Sequence, residues 1–188
     1  NNKMIQEEKT LLLIKPDAVK RGIVGEILQR LEKVGLKIVA AKLVTPDDEL
    51  ASKHYPTADV PWLENIGKRT IDDCQKYGID VKESMGTDDP VEIGKLVVVW
   101  NENYLKSGPV FAFVLQGFNA VERLRSIVGN TVPVKANPGT IRGDYSLDSA
   151  ISANIEKRSI RNLVHASGTV DEASHEIELW FEPEEIYL

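Results

Sequence analysis

One cysteine, three histidines and no long apolar run set the first limits on this 188-residue chain. A lone Cys74 has no partner for an intramolecular disulfide, so the fold cannot be stapled by one. No segment approaches the about 18 apolar residues of a membrane span, and no basic-then-apolar leader is visible, so a soluble, cytoplasmic protein without a membrane partner is expected. Basic residues number 23 against 29 acidic, a net charge of −6, which argues against a nucleic-acid partner bound across the whole surface. Any polyanion must be held by a local cluster. Two phosphate-loop patterns are missing as well: there is no GxGxxG, and Gly94-Lys95 is followed by Leu96 with no glycine five residues before Gly94. Without a Cys-x-x-Cys pair, a structural zinc site lacks ligands at the required spacing, and no metal-ligating residues are assigned.

What is present is enough for one core. With 42% hydrophobic residues, the 188 positions form a single domain, 1–188. Asn1 to Lys9 is polar and expected to be only partly ordered. Thr10 to Ile14 is an apolar run that stops at Lys15-Pro16-Asp17, a strand broken by proline that leaves Lys15 at its end. Val24, Ile27, Leu28, Leu31 and Val34 recur at helical spacing between Gly22 and Gly35, and Leu36 to Val44 reads as a strand. Pro109 to Leu115 is a second central strand, placed beside the first, and Ala120 to Val128 a helix. The order of elements predicts an α+β, ferredoxin-like sandwich with helices on one face of the sheet.

The connection from 45 to 108 is too long for a plain loop. Arg69 to Tyr77, closed by Gly78, reads as a short helix, and Asp89-Pro90 caps another that continues through Leu96, Val97, Trp100 and Tyr104. A helical insertion is therefore expected.

Chemistry concentrates near Asn162-Leu163-Val164-His165-Ala166-Ser167-Gly168. A neutral imidazole, with its ordinary pKa of about 6.5, can attack an electrophile without a dedicated base. The competing reading is a turn or core histidine satisfied by backbone, the commoner fate of an isolated histidine. Thr169-Val-Asp-Glu172 is a capping box that starts a helix four residues past His165, with Val170, Ala173, Ile177 and Trp180 as its buried stripe and Glu176 flanking it. Lys15 at a strand end, Arg125 before Gly129, and Arg142 in Asn137-Pro-Gly-Thr-Ile-Arg142-Gly-Asp144 together form a possible polyphosphate clamp, with Thr131 and Asn162 as neutral donors. Each alone is more often a solvated surface charge. His54 and His175 are read as surface residues.

Four blocks in order then resemble the nucleoside diphosphate kinase family: Leu13-Ile-Lys15-Pro-Asp17 with Lys20-Arg-Gly-Ile-Val-Gly-Glu26; His54-Tyr55; Asn137 to Asp144; and Arg161-Asn162-Leu-Val-His165-Ala-Ser167 running to Leu179-Trp-Phe181. The resemblance covers the chain apart from insertions at about 67–106 and 146–158. It implies a ferredoxin-like fold and ping-pong transfer of the γ-phosphoryl of a nucleoside triphosphate to a nucleoside diphosphate through a phosphohistidine, here at His165. It also implies roles residue by residue. Lys15 stabilises the transferring group; Arg125, Thr131 and Arg142 hold the other phosphates, with Mg²⁺ bridging them; Asn162 and Lys15 reach the ribose. Ser167 and Glu176 orient the histidine, Tyr55 supports it and the lysine, and Trp62 and Ile66 clamp the base. Homo-oligomers, dimers assembling to a tetramer or hexamer, are implied too. Ala166 and Gly168 depart from the family's usual glycine and aspartate, moving the turn's flexible position by two residues.

Two other classes stand beside this reading. A non-catalytic nucleotide-binding relative would be expected to lose His165, Lys15 or Arg142, and all three are present. Metal-dependent phosphate hydrolysis would need a carboxylate cluster suited to two metals, and none is apparent.

Overall fold

The computed structural model describes residues 7–187. Asn1 to Gln6, part of the polar leader considered above, lie outside the described residues; Glu7 to Lys9 already belong to the first strand, paired with its neighbour. In chain order, β1 (Glu7–Ile14) is followed by α1 (Pro16–Lys20), α2 (Val24–Lys33), β2 (Lys37–Val44), α3 (Asp48–His54), α4 (Val60–Lys76), α5 (Val81–Met85) and α6 (Pro90–Lys106). Then come β3 (Val110–Phe118), α7 (Ala120–Val128), α8 (Ile141–Tyr145), α9 (Ala150–Ile155), β4 (Val164–Ala166) and α10 (Val170–Trp180).

The sheet runs β2-β3-β1-β4 with every neighbouring pair antiparallel. β1 and β3, the two central strands, pair over their full length from Glu7 opposite Phe118 to Ile14 opposite Phe111. This is the ferredoxin-like sandwich with a helical insertion. Helices cover both faces, not the single face expected. Leu12 and Ile14 point into one core with Ile27 and Leu31 of α2 and Leu124 of α7, while Leu11 and Leu13 point into the other with Ala51, Leu105, Ile177 and Trp180. The unbroken apolar run of β1 carries that information, because a strand buried on both sides loses its alternation.

The insertion is a helical hairpin. α4 starts at Val60, well before the short helix expected at Arg69, because Asp59 accepts a hydrogen bond from Trp62 N and Pro61 sits in the first turn. Asp89 caps α6 in the same way through Glu92 N. The two helices touch backbone to backbone: a Cβ on Gly67 would run into the Pro90 carbonyl, and one on Gly94 into that of Leu63. The hairpin is tied to the rest at both helices: α4 packs on α9 and its Asp73 meets Lys135 at 3.6 Å, while α6 packs on α3, sends Leu105 into the core under β1, and accepts at Asn101 Oδ1 from Ser159 Oγ at 2.5 Å.

Candidate active site

β4 places the histidine. Pairing sets His165 opposite Leu13, with Val164 and Ala166 turned into the α2/α7 core and His165 toward α10 and α3. Its side chain keeps 21% of its surface exposed, yet Nε2 is sealed from solvent. Nε2 lies 2.7 Å from Glu176 Oε1 without the alignment of an N–H···O hydrogen bond, so the contact is a close approach of two polar atoms. The other carboxylate oxygen, Oε2, accepts from Ser167 Oγ at 2.6 Å, and that hydroxyl oxygen accepts from Leu11 N at 3.2 Å. Ser167 is therefore pinned to the central strand and fixes Glu176, which in turn stands against the ring. Burial raises the Glu176 pKa, the cost of holding a carboxylate on the inner face of α10.

His54 joins this group, contrary to its reading as a surface residue. It is 7% exposed and packs edge-on against His165 with ring centroids 4.5 Å apart. Its Nδ1 accepts from the Trp180 indole N–H at 3.3 Å and lies 3.9 Å from Glu176 Oε1. The signal was local: Asp47 caps α3, and Ala51 and His54, three residues apart, share its buried face. Tyr55 follows, its ring meeting His54 at 5.0 Å. Burial, then the neighbouring His165, pulls the His54 pKa down to about 3. His165 is likewise lowered to about 3, by burial and then by Lys15, Arg142 and Arg125. Both imidazoles are neutral at pH 7. His175 is exposed, as expected.

A basic cradle lies alongside. Lys15 N donates to Leu163 O at 2.8 Å and its Nζ to Asn162 Oδ1 at 2.9 Å; Asn162 Nδ2 donates onward to Thr131 O at 2.9 Å. Leu163 bends the chain with φ 70, so that the carbonyls on either side of it face Arg142. Arg142 donates from Nε to Asn162 O (3.1 Å), from Nη1 to Gly129 O (3.0 Å) and from Nη2 to Val164 O (2.7 Å). Three of its five N–H groups are spent on backbone, leaving one on each terminal nitrogen. Burial, then Arg142, lowers the Lys15 pKa to about 7; burial, then Arg125, brings Arg142 to about 10. Arg125 and Thr131 are exposed at the rim.

The two residues expected to clamp the base both belong to α4. Trp62 and Ile66, one turn apart on α4, are half-buried. The expected stripe on α10 holds at Ala173, Ile177 and Trp180, but Val170 is 48% exposed because it opens the helix beside its cap. Thr169 accepts from Glu172 N as a cap should, while Glu172 returns its carboxylate to Gly168 N at 2.9 Å, one residue before the position a capping box would use.

The sequence model of the family described as Nucleoside diphosphate kinase matches residues 8–62 and 99–186. The chain belongs to that family.

A nucleoside diphosphate kinase of Pyrobaculum aerophilum is 50% identical over 179 residues, 95% of this chain and 97% of its own length. A crystal structure of an NDP kinase from the same organism superimposes with a TM-score of 0.94 at 48% identity, covering 97% of this chain and all of that one. A nucleoside-diphosphate kinase from Borrelia burgdorferi, described as a transition-state mimic with bound vanadate and ADP, matches with a TM-score of 0.78 and 34% identity over 99% of this chain and 93% of its own. As a nucleoside diphosphate kinase, the chain is an enzyme of phosphoryl transfer. The part that the family model leaves unmatched, 63–98, holds most of α4, all of α5 and the first half of α6.

His54, His165 and Glu176 set ligand atoms within 4.8 Å of one another and could hold a metal ion. Two nitrogens and one oxygen suit zinc-like ions better than Mg²⁺, which takes oxygen ligands at octahedral geometry. The carboxylate and His54 are also already engaged, by Ser167 and Trp180. The trio does not fit Mg²⁺. Among the described residues, no helix is long and apolar enough to cross a membrane.

Proposed function

We propose that this nucleoside diphosphate kinase works by ping-pong transfer through phosphohistidine at His165, and that Nδ1 is the attacking atom. The observation that carries the reading is the sealed Nε2 against Glu176, which leaves Nδ1 as the ring nitrogen free to meet substrate. A lone pair on neutral Nδ1 forms the N–P bond while the bond from Pγ to the bridging oxygen breaks, and the diphosphate leaves with that electron pair. The ring then carries positive charge at Nε2–H, where Glu176 Oε1 balances it. A second nucleoside diphosphate reverses the step. The phosphoramidate keeps enough transfer potential for that return.

Lys15 meets the charge on the transferring phosphoryl and, with Asn162, reaches the ribose. Arg125, Thr131 and the two uncommitted N–H groups of Arg142 take the other phosphates, a matter of positioning and charge. Mg²⁺ enters as part of the nucleotide substrate, bridging its phosphates. Ser167 orients Glu176, and Tyr55 supports the histidine pair from behind His54. Trp62 and Ile66 form the apolar clamp on the base, which would discriminate weakly among purines and pyrimidines. The chain is one domain with insertions at about 67–106 and 146–158; it works in the cytoplasm as a homo-oligomer, dimers assembling to a tetramer or hexamer, and has no nucleic-acid partner.

The test is incubation with γ-labelled ATP followed by assay for acid-labile, base-stable label on His165. Label is expected on the wild type and none on His165→Ala; an unlabelled wild type, or equal label on both, overturns the mechanism.

A further inference from the structure

The ammonium of Lys15 is buried, and few groups nearby favour its charge. Its residue is 8% exposed; Asn162 Oδ1 accepts from Nζ, and the Arg142 guanidinium opposes it. One further contact is favourable. Nζ lies over the ring of Tyr104, 4.9 Å from the centroid. Tyr104 belongs to the last turns of α6, the second helix of the insertion hairpin. Its hydroxyl is sealed from solvent, and burial, then the Asp17 charge, holds its ionisation far above the ordinary range, so the ring stays neutral. A face-on cation over a neutral, desolvated phenol is the arrangement in which cation–π attraction is strongest.

We infer that Tyr104 is a positioning residue of the phosphoryl-transfer site, holding the Lys15 ammonium charged and aimed while α6 supplies the rigid mount. The aromatic expected to support the lysine was Tyr55, but its ring stands against His54. α6 thus reaches the site through Tyr104 and reaches the segment before Asn162 through Asn101 and Ser159. The insertion hairpin and the phosphate cradle are mechanically one piece. This inference rests on the role given to Lys15 under Proposed function.

Replacing the ring tests it. Tyr104→Leu removes the π face and is expected to lower kcat/KM for nucleoside triphosphate by about tenfold, the loss of one desolvated cation–π contact. Most of the fall belongs to kcat. The alkaline limb of the kcat/KM profile should also move to lower pH, because a lysine robbed of a favourable contact gives up its proton sooner. The other groups acting on that proton are Asp17, Arg142, His165 and His54, all left in place. Tyr104→Phe keeps the ring and should restore both the rate and the limb. Tyr104→Met serves as the aliphatic variant if leucine does not fold, read by the same criterion. The inference is overturned if the phenylalanine and aliphatic variants behave alike, or if a folded aliphatic variant leaves the alkaline limb unmoved. Lys15→Ala separates the two claims: unchanged turnover there sinks the role of Lys15 itself, whereas lost turnover there with an unmoved limb in Tyr104→Leu sinks only the role of Tyr104.

Discussion

Ser167 Oγ donates to Glu176 at 2.6 Å across nine residues of chain, and through that bond the turn after His165 grips the helix that follows it. Because the hydroxyl oxygen also accepts from Leu11 N, the carboxylate beside His165 is referenced to the centre of the sheet. Charge on Glu176 should therefore matter more to the transition state than to nucleotide binding.

Glu176→Gln keeps the shape and a partner for Ser167 but removes the charge. A fall in kcat of about 10²-fold with little change in ADP affinity is expected, on the scale of losing one preorganised electrostatic contact. Rapid-quench phosphorylation alongside equilibrium ADP titration would check it, and an affinity loss matching the rate loss would contradict the assignment.

His54→Ala deletes the ring packed between His165 and Trp180 and leaves the indole N–H without its acceptor. Destabilisation of about 2–3 kcal/mol is expected from the cavity and the stranded donor, with slower phosphorylation because His165 loses a wall. Denaturant midpoints and single-turnover rates would show both.

Stability should fall with acid in a defined window. The folded pKa values of His54 and His165 are lowered to about 3 from 6.5, so between those values the unfolded chain binds more protons. Their contribution is complete above about pH 6.5 and is lost as pH falls toward 3. Glu176, with its raised pKa, acts in the opposite sense: its contribution is present below its unfolded pKa and lost as pH rises through the folded one. His54→Ala isolates the His54 share, and urea midpoints measured from pH 7 down to pH 4 should decline more steeply in the wild type than in that variant.

Gly67→Ala drives a methyl into the Pro90 carbonyl, where neither backbone can yield cheaply. A loss of about 2–4 kcal/mol is expected, at the upper end for an overpacked site. Ala in place of exposed Gly25, which has open space, should cost nothing by comparison. Thermal unfolding of the two variants side by side settles it.

The elements were legible wherever the pattern is local. β1 announced itself through Thr10 to Ile14, and the caps Asp89 and Thr169 mark helix starts that the backbone obeys. The start of α4 carries the same kind of local signal, Asp59 as cap, Pro61 in the first turn, and Trp62, Leu63 and Ile66 at helical spacing behind them. The order of the site residues was readable through family blocks, but their partners were not. His54 finds its donor in Trp180, 126 residues away, and Arg142 finds carbonyls up to 22 residues away; such pairings follow from the folded sheet and leave no spacing in the chain. Tyr104 was legible only as one more apolar position on a helix, since nothing in sequence says that a lysine 89 residues earlier will lie over it.

β4 has three residues and sits at the edge of the sheet, the kind of segment that ordinarily frays first. Arg142 reaches the carbonyls of Asn162 and Val164 on its outer flank, completing with a side chain the row of bonds that a neighbouring strand would have made. The consequence is that a three-residue strand is as firmly placed as a longer one. A guanidinium fastened across the edge ties β4 to α8 and to the end of α7 at Gly129, so the strand that carries His165 is held by the same side chain whose two remaining N–H groups stay uncommitted.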